Sequence, residues 1–411
     1  MAVVRPFRAV RPRAELAAAI AALPYDVMSS AEAKEMVEGS ELSFLRIDRA
    51  EINFPEMMDP HDPRVYAKAR EIFEKMLEKQ HLIQDEQAYF YIYRQVMGGR
   101  VQTGLVACTA VDDCINGVIK KHELTRPDKE QDRVEHIKAL QAQTGPIFQA
   151  YRDREEIRQL IDSWVKTHEP LYQFSAFGVD HLCWLVDSRE TIAELEHLFS
   201  AVDCLYIADG HHRSAAAVRV GRELREQSPD PQAEFNYFLS VLFPASDLKI
   251  LPYNRLVKDL AGLSSQEFFQ QIEERFALEQ APASPYAPEQ KGTFGMYTAG
   301  RWYKLTPHPG LVPRDDPVKS LDVSILQDHL LAPILKIQDP RRDERIDFVG
   351  GIRGLKELER RCREDRQVAF SLYPTSIEEL FAVADRGQVM PPKSTWFEPK
   401  LLSGLFIHKL F

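Results

Sequence analysis

The apolar run Leu205-Tyr206-Ile207-Ala208 ends in Asp209-Gly210-His211-His212-Arg213, and an Ala-rich helical pattern follows at once. A strand-to-helix turn of this kind turns the first amides and the positive dipole end of the helix toward an anion. Gly210 lets the backbone turn tightly or approach a ligand. Arg213 presents a planar fork of donors that matches phosphate or carboxylate oxygens. Asp209 can hold a histidine tautomer or help place a metal ion. A capped turn explains a lone Asp-Gly junction equally well, but His, His and Arg in succession share no packing role. Adjacent helical residues do not share a face, so one histidine is expected on the ligand and the other bracing the turn. The chemistry indicated is phosphate handling.

Other chemically capable residues cluster in four further places. Lys121-His122-Glu123-Leu124-Thr125-Arg126-Pro127 leads into a charged helical stretch that runs through Asp132-Arg133 to His136. Much of that run reads as a solvated helix face. Glu123 stands apart, as a carboxylate able to deprotonate a hydroxyl or bind Mg²⁺. Asp26, in Leu23-Pro24-Tyr25-Asp26-Val27-Met28-Ser29-Ser30, is a second candidate base or metal ligand, although an ordinary Ser cap also fits. Between Met390 and Lys400, a Pro-stiffened loop carries Lys393, Ser394 and Lys400. These lysines can hold phosphate oxygens as point charges. Asp347-Phe348-Val349-Gly350-Gly351, read as opening a helix, is a weak phosphate-cradle shape.

Hydrophobic periodicity supplies the elements that position these groups. Helices are expected at 12–22, 31–38, 63–80, 128–143, 153–167, 189–200, after Arg213, and at 265–276, 321–335, 354–364 and 376–385. Strands are expected at 44–47, 88–95, 101–111, 174–179, 181–186, 205–209, 235–243, 294–297, 301–305 and 367–373. Gly98-Gly99 and Ala299-Gly300 mark hairpins. Strands and helices mix without strict alternation, so the fold class is α+β (mixed α/β), with mixed sheets and helices. Composition shifts near Leu251-Pro252-Tyr253-Asn254-Arg255. We therefore expect one region over 1–250 and a second α/β region over 251–411, whose tail loop at 390–400 returns to the site.

The chain has 411 residues, 44% of them hydrophobic, and a formal net charge of −10. That charge argues against a duplex nucleic-acid footprint. Five scattered cysteines without a Cys-x-x-Cys pair point to reduced thiols in a cytoplasmic setting. No apolar run reaches membrane-spanning length, and the N-terminal stretch lacks a signal-peptide pattern. Neither a Walker-type nor a Rossmann glycine motif is present.

Four motifs occur in order: Leu23-Pro24-Tyr25-Asp26-Val27; Lys121-His122-Glu123-Leu124-Thr125 with Asp132-Arg133; Ala208-Asp209-Gly210-His211-His212-Arg213; and Pro392-Lys393-Ser394-Thr395-Trp396-Phe397 with Pro399-Lys400. Together they resemble, over nearly the whole chain, a large bacterial and archaeal family known as a domain of unknown function. The Asp-Gly-His-His-Arg block is also similar to the second conserved box of the ParB-like, sulfiredoxin and free-serine-kinase superfamily. Its members bind nucleotide phosphates at such a turn. They hydrolyse CTP, activate a sulfinate with ATP, or phosphorylate free L-serine.

The resemblance implies a ParB/sulfiredoxin-like phosphate-binding core with large insertions, since the motifs near Pro24 and Asp209 lie far apart. It implies a small-molecule kinase that makes O-phosphoserine from L-serine, with ATP, ADP or pyrophosphate as donor and Mg²⁺ as cofactor. On that reading Gly210, His211, His212, Arg213, Lys393, Ser394 and Lys400 hold the donor. Glu123, Asp26, Asp209 and His212 are the catalytic candidates, and Asp209 and Glu123 the metal candidates. His122, Thr125 and Arg133 face the amino acid, with Arg133 on its carboxylate. The family pattern has His where Asn254 stands, so that position is given no role. A ParB-like regulatory nucleotide binder and a phosphohydrolase are the alternatives. Partners are the small-molecule substrate and the donor, with no membrane and a homo-oligomer left open.

Overall fold

The computed structural model describes residues 1–55, 58–313 and 315–411, and they divide into two compact units. The first unit comprises residues 1–121, 125–248 and 399–411, and the second comprises 122–124 and 249–398. Each is a mixed α+β body with its own sheet.

Among the described residues the first unit carries a nine-stranded sheet. Its strands are β1 (Val4–Arg5), β2 (Phe90–Met97), β3 (Arg100–Ala110), β4 (Ile119–Lys120), β5 (Ile147–Tyr151), β6 (Tyr172–Ala176), β7 (Val179–Val186), β8 (Leu205–Asp209) and β9 (Tyr237–Pro244). The spatial order is β4-β8-β5-β9-β3-β2-β7-β6, with β1 pairing the far end of β3. Two pairs, β4–β8 and β5–β9, are parallel and the remainder antiparallel. Hairpin β2–β3 turns at Gly98 and Gly99, and β6–β7 at Phe177 and Gly178, all with positive φ. Two consecutive residues of that conformation match the twist of the flanking strands.

The helices of this unit include α1 (Pro63–Glu78), α2 (Pro127–Leu140), α3 (Glu155–Thr167), α4 (Arg189–Ser200) and α5 (His211–Gln227). Pro63 and Pro127 open α1 and α2, where the missing N–H goes unused and the fixed φ suits the first turn. α2 packs on α5 and on α1. Val134, Ile137, Ala216, Ala217 and Val220 pack between these helices and the sheet.

Four local expectations are corrected. Phe44–Ile47 is not a strand: Leu45–Asp48 is a short helix. Phe44, Leu45 and Ile47 are all buried in a satellite core with α1, and that packing overrides their extended propensity. The helix expected at 12–22 is broken into Ala14–Leu16 and Ala17–Ile20, because Val10–Pro12 pairs as a strand with Leu82–Gln84. The strand at 235–243 begins two residues later, after a tight turn over Glu234–Asn236. The helix at 321–335 is Asp322–Leu326, widening into a π turn over Gln327–Leu331.

The second unit holds a six-stranded, wholly antiparallel sheet among the described residues. Its strands are β10 (Tyr253–Val257), β11 (Phe276–Gln280), β12 (Phe294–Thr298), β13 (Arg301–Pro307), β14 (Ile346–Gly350) and β15 (Val368–Leu372), in the order β11-β13-β12-β15-β10-β14. Helices α6 (Ser265–Glu273), α7 (Leu355–Glu364) and α8 (Ile377–Asp385) accompany it. Asp347–Gly350 lies inside β14, paired with β10, and Gly351 starts only a single tight turn. The phosphate cradle expected there is therefore absent, because those amides serve a sheet.

Candidate functional site

β8 runs between β4 and β5, and its register against β5 shifts between Ile207 and Asp209. Such an irregularity re-aims the end of a strand. The chain then turns at Gly210, with φ 93° and ψ 31°, and α5 begins with His211. A side chain at position 210 would be strained at that φ. Its Cβ would also lie 3.1 Å from Arg213 Nε and 3.2 Å from Cζ. The arginine thus folds back over the glycine at the head of its own helix.

Asp209 organises the turn. Its Oδ1 accepts the Gly210 amide at 2.8 Å, and its Oδ2 accepts Lys400 Nζ at 2.9 Å. Arg213 Nη2 stands 4.0 Å from Oδ1. Burial opposes ionisation of this carboxyl, but the charges of Lys400 and Arg213 with the two hydrogen bonds hold it well below the usual carboxylate range. Lys400 is fixed in turn. Its carbonyl accepts Gln95 Nε2 at 2.8 Å, and Gln95 Oε1 accepts Gln102 Nε2. Both glutamines are buried on β2 and β3.

The two histidines divide. His212 Nε2 accepts the Arg126 amide at 3.0 Å, which fixes its neutral tautomer and ties the start of α5 to the start of α2. It is the bracing histidine. His211 is buried in the first turn. Thr125, proposed to face substrate, donates from Oγ1 to Glu130 Oε2 and so ties down the lead into α2.

Arg213 Nη1 donates to the Pro146 carbonyl. A Cβ on Gly145 would lie 3.3 Å from Arg213 Cδ and Nη1, so the guanidinium passes between two glycines, 145 and 210. Gly145 stands two residues before the start of β5, and a glycine beside a strand start is the sequence signal for this close approach. Beyond Arg213 opens a small cleft lined by Tyr25, Asp48, Arg133, His136 and Thr144 among others. Arg133 is buried. Its Nε and Nη2 donate to Asp132 Oδ2, and its guanidinium lies 3.9 Å from the centre of the Tyr25 ring. Burial opposes its charge, but Asp132, the Tyr25 side chain and Asp48 together hold it firmly protonated. Asp26, next to Tyr25, is exposed.

The remaining candidates belong to the second unit. There the His122 carbonyl accepts the Met390 amide at 2.7 Å, and His122 Nε2 lies 3.3 Å from Thr395 Oγ1. Glu123 is partly exposed on the same short segment. Lys393 takes a positive φ of 57° and places its ammonium over the Tyr253 ring. Ser394 Oγ donates to the Pro391 carbonyl at 2.6 Å, closing its own loop. Asn254, given no role, accepts the Leu372 amide inside the sheet.

A family model covers most of this chain, residues 4–324, including the turn and three of the four motifs in part or whole. The chain belongs to that family. Its description is protein of unknown function (DUF1015). No curated protein matches the sequence. Several solved structures resemble this DUF1015 chain at low identity. A mutant free serine kinase in complex with ADP is 15% identical, with a TM-score of 0.37 over 74% of this chain and 90% of that one. A conserved hypothetical protein from Pyrococcus furiosus is 15% identical, with a TM-score of 0.35 over 72% and 90%. SbnI with a C-terminal truncation, from Staphylococcus aureus, is 12% identical, with a TM-score of 0.37 over 72% and 85%. Likenesses this distant say nothing of ligand or reaction. Among the described residues, no helix is long and apolar enough to cross a membrane.

Proposed function

We propose that this protein is a phosphotransferase, a small-molecule kinase that moves a phosphoryl group from ATP, ADP or pyrophosphate to the hydroxyl of free L-serine. The observation that carries this reading is the turn at 209–213. A long helix starts on a left-handed glycine, with an arginine folded over it and a lysine held beside it by one shared aspartate. Phosphoryl transfer needs positioning and charge neutralisation more than covalent chemistry from the protein. Donor phosphate oxygens would meet the first amides of α5, the Arg213 guanidinium and the Lys400 ammonium, with His211 in the same turn. Lys393 and Ser394, also assigned to the donor from sequence, lie in the second unit, where the Ser394 hydroxyl donates to the Pro391 carbonyl.

The attacking serine hydroxyl needs an acceptor for its proton. Asp26 and Glu123 are the two bases proposed, and both side chains reach solvent, Asp26 exposed and Glu123 partly so. His212 is less suited to proton transfer while its Nε2 holds the Arg126 amide. His122, Thr125 and Arg133 remain assigned to the amino acid, Arg133 as positive potential for its carboxylate. Mg²⁺, when bound, would supply further neutralisation of the donor. Asp209 does not fit as its ligand, because both oxygens are engaged and two cations face them. Glu123 is then the remaining proposed ligand, and no step is derived through the ion.

The decisive experiment incubates the purified full chain with L-serine, Mg²⁺ and each of ATP, ADP and pyrophosphate. O-Phosphoserine is followed by phosphorus NMR. Product with at least one donor is the expected result. Inorganic phosphate without O-phosphoserine assigns a phosphohydrolase, and no turnover of any donor overturns the proposal.

A further inference from the structure

The cleft beyond Arg213 contains two mismatched charges, and together they describe a ligand. Asp48 lies on its wall, with only 3% of its side chain exposed. Among the described residues, its carboxylate takes one hydrogen bond, from Thr144 Oγ1 at 2.7 Å. His136 Nε2 stands 3.7 Å away but also faces the Ile47 carbonyl at 3.2 Å. Burial and the charge of Arg133 push that imidazole toward its neutral form, against the opposing pull of Asp48. Arg133, the other cation facing Asp48, donates to Asp132. A buried carboxylate without a cation of its own is costly unless a ligand supplies one.

Opposite in sign, Arg213 Nε is buried and has no acceptor among the described residues, while about nine-tenths of the side chain is buried. An unfilled donor on a buried guanidinium has a comparable penalty. The two groups are neighbours through a dipeptide. Thr144 holds Asp48, and Gly145 packs against Arg213. Both line the same cleft.

We propose that this cleft seats the free α-amino acid, with Asp48 receiving its ammonium and Arg213, supported by Arg133, receiving its carboxylate. A phosphate or other anion alone satisfies Arg213 but is repelled by Asp48. A simple cation satisfies Asp48 but leaves Arg213 open. A zwitterion whose charges lie on adjacent carbons completes both. The assignment deepens the phosphotransferase reading and takes its choice of amino acid from it.

The test is calorimetric titration of the unaltered full chain, without donor, with L-serine, N-acetyl-L-serine, L-serinamide and inorganic phosphate. L-Serine is expected to bind, and blocking either end to weaken binding at least about tenfold. Asp48→Asn should weaken L-serine at least as much while narrowing the gap to N-acetyl-L-serine. Arg213→Lys should do the same for L-serinamide. Equal binding of L-serine and its N-acetyl form, phosphate binding without L-serine binding, or no heat from L-serine would each overturn the assignment. The analogues require no variant, so a misfolded substitution leaves the test intact. L-Serine binding of the expected pattern with no product from any donor would remove the kinase reading and keep the cleft. Product formation with a serine KM unchanged in folded Asp48→Asn would remove the cleft and keep the kinase.

Discussion

The two units treat buried charge in opposite ways. In the first, several ionisable groups are drawn inward and paired: Asp209 with Lys400, Asp132 with Arg133 and Asp85 with Arg11. In the second, most ion pairs lie on the surface, as in the Arg360–Glu357–Glu364 and Arg341–Asp339 pairs. Its buried carboxyl, Asp322, accepts the Gly292 amide as its one hydrogen bond donor among the described residues, and burial raises it to about 7. A body that fixes several buried charges in one geometry pre-organises an environment for a charged ligand. A body whose ion pairs lie mostly at the surface fixes fewer charges in place. The contrast teaches where to look for chemistry, and it can be broken by experiment.

The largest expected effect is at Arg213. Arg213→Ala should lower kcat/KM for phosphoryl transfer by about a hundred- to a thousandfold, the usual effect of removing one charged donor. Unchanged donor affinity and turnover would mean that the turn holds no phosphate. Next comes the pH dependence of the second unit. Asp322 binds a proton more tightly folded than unfolded, so its contribution declines as pH rises from about 4 to 7 and stays lost above. Asp322→Asn should therefore stabilise the second unit at pH 8 by up to about 4 kcal/mol and flatten this slope. The first unit should slope the other way. Burial lowers His181 to about 4, so the unfolded chain takes up the proton first and stability is lost as pH falls from about 6.5 toward 4. His181→Phe, which keeps the aromatic packing against Phe174, should remove about 3 kcal/mol of that acid sensitivity. Hydrogen exchange, corrected for intrinsic rates, reports the units separately. Parallel slopes in the two units would erase the contrast.

A smaller loss is expected for Lys400→Met, which strips Asp209 of its ammonium but leaves Arg213 nearby, and should destabilise the first unit by roughly 1–3 kcal/mol. Asp209→Asn added to it should restore much of that, as a thermal melt of the double variant would reveal. The smallest effect belongs to an exposed i,i+4 pair, Arg70–Glu74 on α1. Breaking it should change stability by no more than about 0.5 kcal/mol.

The turn at 209–213 was legible because everything that shapes it is local. An apolar strand, a glycine and an Ala-rich helix follow one another, and the structure forms β8, a left-handed Gly210 and α5 in that order. The hairpins at Gly98-Gly99 and Ala299-Gly300 were legible for the same reason. What sequence hid is long-range. Lys400 was read as a phosphate point charge, yet its ammonium sits on Asp209, 191 residues away. Asp48 carried no motif at all, and the run before it was taken for a strand. Its importance arises only when Leu45–Asp48 coils and Thr144 meets it. Ser394 was read as a ligand donor, but its hydroxyl serves its own loop. Polar residues in a Pro-rich segment cannot reveal from spacing alone whether they face a ligand or their own backbone.

The interleaving of the two units sets an order on their making. Residues 399–411 belong to the first unit, where His408–Lys409 pairs with Ala142–Gln143 and Lys400 meets Asp209. They leave the ribosome only after all of 249–398, which forms the bulk of the second unit. During synthesis the earlier body must therefore wait, with Asp209 lacking one of its two counter-charges, while the later one has already become able to fold. A nascent chain stalled at residue 398 would carry a nearly finished second unit and a first unit whose anion-facing corner has yet to close.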